Sequence, residues 1–573
     1  MDVSLGGRGP AVRALSHALS ETEATVRQEP LDSVADPSLS ILVADVADEG
    51  IRSWNRNARS RAIPAMLVEI GGVGGLEVSG VDAAVSGFAP TGACYDCLCR
   101  RVQRARGSVS PSSSPEPGSA RLAGAMAGQR AVRLLEGDTD RPGPLGYVEE
   151  IPQARHRLLP VPDCECRAVR DHRLRKGVAS RSVEASIEAA SPAVDDRVGI
   201  LTEVAEIESF PAPYYLGSTW ESEWSATDGQ SYAAGVATGW DRAYMKAIGE
   251  GLERYAAATY AVDRLETAPA RASGRRVPPS SFVTSEGVGD VSAGGDRWVR
   301  GESLQTGERV WLPAEFVFFP PPAVRHRPSI TTGLGLGTGG GAAILAGLYE
   351  IVERDAAMLA WYSSYEPLEL TVDSTRYREL ARRIGAESLR ATPLLLTQDI
   401  DIPVVAVAVH RRDGDWPRFA LGVAANLDAE RAASAALEEA VQNHMELARM
   451  GEQDAERQEP RLAEYARFPE PARALFDAEA SVPAAAVGLT AAPEGRAELE
   501  TVLDRVEAAE MAVYGSRLTT PDIEPLGFEA VRILAPAAQP LFTDRPYFGE
   551  RASRVPAELG FEPTLDREPH PFP

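Results

Sequence analysis

Two short patterns in this chain bring together residues that could hold a phosphorylated cofactor. In AYMKAIGEGLERYAAATY, Ala243 to Tyr260, Glu250, Glu253 and Arg254 spell Glu-x-x-Glu-Arg, and Glu350, Glu353 and Arg354 repeat it in AAILAGLYEIVERDAAMLAWY, Ala342 to Tyr362. A single such pattern on a helix is commonplace and reads as a solvated ion pair. Two copies, each after a Gly-containing approach (GVATGW and TTGLGLGTGGG), point further. Carboxylates sharing one cleft raise each other's pKa unless a metal neutralises them, so four converging glutamates imply a nucleotide carried with Mg²⁺. The run at Thr331 to Gly341 would supply backbone N–H groups and a positive helix end to phosphate oxygens.

Helices must position these groups. Leu345, Leu348, Val352 and Leu359 fall on one apolar stripe at helical spacing, with Glu350, Glu353 and Arg354 on the other side. Asp195 to Ile207 reads as turn then strand. TPLLLTQDI, VVAVAVH and RFALGVAANL read as further strands leading to a helix with Glu439 and Gln442. The expected fold class is α/β: a short N-terminal α/β zinc-bearing domain, then a mixed α/β domain with helices packed on sheet.

GEGLERY, GLYEIVERDA and AALEEAVQ (Ala435 to Gln442), in that order, resemble the YcaO family, ATP-dependent enzymes that modify peptide backbone amides. VRILAPAAQPLF, Val531 to Phe542, resembles the family's late strand, and the terminal PHPFP, Pro569 to Pro573, resembles the proline-rich tail of its azoline-forming cyclodehydratases. The likeness covers about Ala193 to Pro573. It implies that Glu250, Glu253, Glu350 and Glu353 hold Mg²⁺, that Arg254, Arg354 and Arg551 meet ATP phosphates, and that Glu439 and Gln442 line the cleft. It also implies that the carboxylate of Pro573 reaches the reacting amide. The chain departs from the family pattern at Ala342, where a glutamate is usual, at Thr338 beside the phosphates, and at Lys246, where a serine is common. Water on Mg²⁺ would replace the lost carboxylate, and Lys246 would meet phosphate by charge. Three readings follow: an azoline-forming cyclodehydratase, a YcaO enzyme of another amide chemistry such as thioamidation, and a non-catalytic peptide-binding scaffold.

The first third reads separately. ILVADVA and AIPAMLVEIGGVGG suggest strands of an α/β unit, and the glycines at 71, 72, 74 and 75 read as a hairpin turn because no helical pattern follows them. All five cysteines lie here. Cys94 and Cys97 at Cys-x-x-Cys spacing, with Cys164 and Cys166, suit a closed Zn²⁺ tetrad, and Cys99 is left over. APTGACYDCLCRR resembles the ubiquitin-activating-like partner domain found with YcaO cyclodehydratases, implying a peptide-docking or activating role. The expected division is residues 1–180, a linker over 181–194 within the flexible-looking stretch Val178 to Val194, and 195–573. Gly107 to Ala120 reads as a disordered loop and Arg449 to Ala478 as a surface insertion.

The 573 residues carry 83 acidic against 59 basic side chains, net −24, which disfavours nucleic acid as a partner. No apolar run is long enough for a membrane span, and the first residues lack a secretory signal's order, so a soluble, cytoplasmic protein is expected. The resemblance implies a ribosomally made precursor peptide as partner, a homodimer, and a separate leader-binding protein and flavin dehydrogenase as further partners.

Overall fold

The computed structural model describes every residue except 30–32, 34–35, 106–116, 138–142, 153, 167–169, 179, 228–230, 268–273, 286–294, 490, 543–544 and 573. The first sheet has seven strands: β1 (Asp2–Gly6), β2 (Thr25–Arg27), β3 (Leu39–Asp45), β4 (Ala65–Ile70), β5 (Ala83–Phe88), β6 (Tyr147–Ile151) and β7 (Ala154–Arg157), in the order β2-β1-β3-β4-β5-β6-β7. Helices α1 (Pro10–Leu19), α2 (Gly50–Ser60), α3 (Tyr95–Arg104) and α4 (Pro117–Glu136) accompany it. β1, β3 and β4 run parallel, and β4 to β5 is antiparallel, as the hairpin reading of the glycines required. That turn is shaped around a carboxyl group of its own. The buried Glu69 accepts from the N–H groups of Gly74 and Gly75, both at 2.9 Å, and from the Tyr95 hydroxyl at 2.8 Å.

Beyond α5 (Val183–Ala190) come β8 (Leu201–Glu208), β9 (Tyr214–Thr219) and β10 (Tyr232–Val236), a three-stranded antiparallel sheet that leads into α6 (Trp240–Ala258). Strands β11 (Arg275–Arg276), β12 (Trp298–Ser303), β13 (Arg309–Pro313) and β14 (Leu334–Gly337) form a six-stranded sheet with β20 (Tyr514–Arg517) and β21 (Glu529–Leu534). Between them lie α7 (Ala314–Val317), α8 (Gly340–Trp361), α9 (Thr375–Gly385) and α10 (Ala429–Met450). A last sheet combines β15 (Leu368–Thr371), β16 (Arg390–Leu395), β17 (Val404–His410), β18 (Phe419–Ala425) and β19 (Ser481–Pro483). The mixed α/β architecture with helices on sheets is the one expected from sequence.

The glycines of the approaches turn out to be packing residues. A Cβ on Gly235 of β10 would lie 2.2 Å from the Ala243 carbonyl oxygen of α6. On Gly335 of β14 it would lie 2.2 Å from that of Ala343 of α8, and on Gly422 of β18 2.3 Å from that of Ala436 of α10. Each strand therefore lies directly against the helix that carries the acidic residues. The run at Thr331 to Gly341 is accordingly a strand and a helix start, where a phosphate loop was expected. At that helix end Gly341 N–H donates to the Gly177 carbonyl at 3.1 Å, and a Cβ on Gly340 would strike the Arg175 carbonyl, so backbone already covers it.

Three further expectations are corrected. The stretch Val178 to Val194 contains α5, capped by the Ser182 side chain on Ala185 N–H, and it packs on α6. Of the supposed loop Gly107 to Ala120, residues 107–116 lie outside the described residues and Pro117 to Ala120 begin α4. Arg449 to Ala478 is no loose insertion. Its helices α11 (Glu452–Gln458), α12 (Pro460–Tyr465) and α13 (Glu470–Leu475) bury Ala455, Tyr465, Phe468 and Leu475, and Phe468 stacks on Phe419 of β18 with ring centres 5.0 Å apart. The chain ends with α14 (Arg496–Ala508), α15 (Arg551–Leu559) and the tail.

One buried guanidinium joins the first sheet's portion to the rest. Arg101 of α3 has no solvent exposure and donates to the carbonyls of Leu159, Pro160, Val198 and Gly199 and, at 2.8 Å, to Asp522. Asp522 also accepts from the hydroxyl of Tyr255 on α6 at 2.7 Å, and that hydroxyl accepts from Trp224 Nε1 at 2.8 Å. Among the described residues, no helix is long and apolar enough to cross a membrane.

Candidate active site

Three helices each present a glutamate that the preceding strand region holds by one backbone N–H. Glu250 of α6 accepts from Ala234 at 2.8 Å, Glu350 of α8 from Gly333 at 3.0 Å, and Glu439 of α10 from Val423 at 2.8 Å. Glu253 and Glu353 follow one turn after Glu250 and Glu350 on their helices. Arg354 Nε lies 3.3 Å from Glu353 and its Nη2 3.8 Å from Glu439, while Arg254 Nη2 lies 3.5 Å from Glu250.

The electrostatics of Glu253, Glu353 and Glu439 tie the three helices together. Burial, then the charge of Glu350, pushes the Glu253 carboxyl up to about 8. Burial lifts Glu353 well above the carboxylate range, with Glu439 and Glu350 adding to the rise and Arg354 opposing it. Glu439 and Glu446 are raised as well, chiefly by burial. Arg532 of β21, drawn down to about 9 by burial and then by Arg327, feels both Glu350 and Glu253. Glu253 has no hydrogen bond or ion pair among the described residues. Carboxylates collected in this way, with too few donors to keep them ionised, fit a divalent cation with oxygen ligands.

Beside them opens a cleft of about 520 Å³ lined by Lys246, Glu250, Glu253, Gly337, Thr338 and Phe528, among others. Lys246 Nζ is drawn to the Val236 carbonyl at 2.9 Å and to Glu438 at 2.8 Å. Gln442 Nε2 donates to Glu446 at 3.1 Å. The sequence reading missed Glu438, Glu446 and Arg532. Glu438 is fully buried and also accepts from Thr238 N–H at 3.1 Å and from Arg376 Nε at 2.8 Å, which fixes the floor on which Lys246 stands.

Arg551, expected to meet phosphate, is engaged by two carboxylates of its own chain. It is 3% exposed, and its nitrogens are bound to Asp355 at 2.6 and 3.1 Å and to Asp399 at 2.7 and 2.9 Å. It ties α15 to the residue after Arg354 and commits four of its five N–H donors to the two carboxylates. Pro573 lies outside the described residues. Just before it, Phe572 sets its ring edge-on to Trp361, and the buried His570 bonds the Phe542 carbonyl at 2.6 Å. Burial holds His570 at about 4, and the charge of Arg354 adds to this.

The cysteines form a second centre. The Sγ atoms of Cys94, Cys97, Cys164 and Cys166 all lie within 4.8 Å of one another, with Cys94 to Cys97 at 3.7 Å and Cys94 to Cys164 and Cys97 to Cys166 at 3.5 Å. Four thiolates about 2.3 Å from a Zn²⁺ at the centre of a tetrahedron stand about 3.8 Å apart, so the array fits that ion. Cys99 stays outside it, buried, its thiol pushed up to about 12 by burial and then by Glu69.

The acidic cluster lies where three helices of the mixed α/β fold meet, each glutamate held from its preceding strand region. Residues 234–539 match the family model of the YcaO cyclodehydratases, described as ATP- and Mg²⁺-binding, and the chain belongs to the YcaO family. An uncharacterised protein of Methanothermobacter thermautotrophicus is 29% identical over 252 residues, which make up 42% of this chain and 64% of that relative, under two thirds of its length. A heterocyclase solved in complex with substrate and cofactor shares the fold over 100% of this chain and 85% of its own, with a TM-score of 0.73 at 19% identity. The heterocyclase TruD does so over 98% and 82%, with a TM-score of 0.63 at 18% identity.

Proposed function

We propose that this protein is an ATP-dependent cyclodehydratase that converts Cys, Ser or Thr residues of a ribosomally made precursor peptide to azolines. The observation that carries the reading is the convergence of Glu250, Glu253, Glu350, Glu353 and Glu439 from three helices onto one cluster with Arg254 and Arg354. In the proposed reaction the peptide's thiol or hydroxyl, losing its proton, adds to the preceding amide carbonyl. The resulting oxyanion takes the terminal phosphoryl group of ATP, releasing ADP. Loss of the amide proton and of phosphate then leaves the C=N bond of the ring.

Glu250, Glu253, Glu350 and Glu353 are the residues that would hold Mg²⁺, which supplies charge to offset the phosphate oxygens. Arg354, kept charged by Glu353 and Glu439 against the cost of its burial, is placed to meet phosphoryl oxygens, and Arg254 stands on the Glu250 side. Glu439 and Gln442 line the same region. The tail, anchored by His570 and Phe572, would bring the Pro573 carboxylate toward the reacting amide. Lys246 and Thr338 face the cleft where the triphosphate would lie.

We further assign Zn²⁺ to the four cysteines, and to residues 1–180 the role of a ubiquitin-activating-like docking domain for the peptide. A homodimer, with a leader-binding protein and a flavin dehydrogenase as partners, completes the reading. A non-catalytic scaffold is the second reading, favoured by the backbone that covers the start of α8.

Calorimetry with Mg-ATP distinguishes the two. Binding by the wild-type chain that is lost in Glu353→Ala supports the enzyme, and heat-silent titration of a folded wild type supports the scaffold.

A further inference from the structure

A cavity of about 460 Å³ opens at the seam between the segment that carries Cys164 and the rest of the chain. Its walls come from the stretch Pro162 to His172, from the residues that follow α6, and from β12 and β13. It shares none of the described residues with the cleft beside Lys246. Part of the wall is apolar: Tyr260 and Leu265 keep accessible surface on it, with Trp298 and Trp311 behind.

Two donors on these walls are unspent. The half-buried Arg170 makes no hydrogen bond or ion pair among the described residues, and burial pulls its guanidinium down to about 10. Asp522 is the carboxylate whose charge it feels. Arg101 and the Tyr255 hydroxyl both bind Asp522 on Oδ2, and Oδ1 is left without a hydrogen bond, so Arg170 does not donate to it. Trp298 is 6% exposed, and its indole N–H likewise finds no acceptor among the described residues. Two carboxylates of the lining are already engaged: Arg100 donates to Asp163 at 2.7 and 3.1 Å and to Glu223 at 2.5 Å.

Buried donors are normally paired. A guanidinium presents a planar fork that fits the two oxygens of a carboxylate, or a phosphate. Among the exposed lining residues the acids Asp171, Glu223 and Glu266 outnumber Arg264 and Arg300, which disfavours a doubly charged phosphate against a singly charged carboxylate. A cavity of this volume, part apolar and with few free polar groups, has the make-up of a small-molecule site.

We infer that this cavity binds a small organic monocarboxylate, its carboxylate paired with the Arg170 guanidinium and its apolar body lying against Tyr260 and Leu265. The ligand would touch both sides of the seam. The inference stands apart from the nucleotide reading, since the two sites have no described residue in common.

The test is equilibrium dialysis of the full chain, free of nucleotide and Mg²⁺, against 2-naphthoate, a fluorescent monocarboxylate with an apolar body. Saturable binding of one equivalent is expected, with Kd below about 1 mM, weakened about tenfold or more in Arg170→Gln. The neutral 2-naphthol should bind correspondingly worse. Absence of saturable binding, equal affinity in Arg170→Gln, or 2-naphthol binding as tightly as the acid overturns the proposal, and tighter binding of 2-naphthyl phosphate overturns the choice of carboxylate. Should Arg170→Gln fail to fold, wild-type crystals grown with 6-bromo-2-naphthoate decide: an anomalous peak in the cavity beside Tyr260 and Leu265 supports the site, and a peakless cavity refutes it.

Discussion

Replacing Glu438 by Gln is the most informative single change in the candidate active site, because it keeps the shape of a wholly buried side chain and removes its charge. Glu438 holds Lys246 at 2.8 Å, Arg376 Nε at 2.8 Å and the Thr238 N–H at 3.1 Å. Removing one partner of a buried ion pair costs about 3–5 kcal/mol when the survivor stays buried. Here the survivors are partly wetted, the Lys246 side chain being 41% exposed and that of Arg376 29%. They rehydrate, so the loss reduces to charge-assisted hydrogen bonds, about 1.5–3 kcal/mol. The pH dependence gives a sharper check. Burial alone would raise the Glu438 carboxyl, and Lys246 and Arg376 outweigh it to hold the group at about 2. A carboxyl whose pKa is depressed on folding stabilises the protein above its unfolded value and loses that contribution as pH falls toward its folded value. Thermal unfolding followed by near-ultraviolet circular dichroism should therefore show Glu438→Gln melting several degrees below wild type at pH 7, with the gap closing between about pH 4.5 and 2. A gap of the same size at pH 3 and pH 7, or none at pH 7, would refute the reasoning.

His156 carries the opposite dependence. Burial alone would lower it, and Asp195 at 2.8 Å with Glu150 at 3.7 Å raises it to about 9, so its contribution is complete below pH 6.5 and fades as pH climbs through 9. His156→Gln should flatten the alkaline limb of the stability profile, and an unchanged limb would count against the pairing. Cys97→Ser should reduce bound zinc in the purified chain from about one equivalent to well below half, by elemental analysis, whereas Cys99→Ser should leave it intact; equal loss in both would undo the tetrad.

Much of the site was legible because its signals are local. Glu250 with Glu253, and Glu350 with Glu353, sit one helical turn apart, and the Cys-x-x-Cys pair announced its partners by residue type. What was not legible depends on contacts far along the chain. Glu438 and Glu439 are adjacent in the sequence, and nothing in it tells which one faces Lys246 and which faces Arg354. Arg551 stands in a segment whose resemblance implies a phosphate ligand, and its carboxylate partners Asp355 and Asp399, about two hundred and one hundred fifty residues earlier, leave no local trace. The glycines before α8 have two physical uses, cradling an anion and letting a helix touch a strand, and only the position of Gly177 and Ala343 decides for the second.

Arg101 bears on how such a chain can be rebuilt. Its acceptors come from the loop before Cys164, from the turn at Val198 and Gly199, and from Asp522, three segments on both sides of any cut between the cysteine-bearing portion and the rest. A chimera that takes the first portion from one relative and the remainder from another inherits the guanidinium from one parent and its carboxylate from the other. Unless both parents carry the pair, the hybrid buries a lone charge beside Tyr255, one residue from Arg254. The two portions are thus matched parts, exchangeable only together with the residues at 101 and 522.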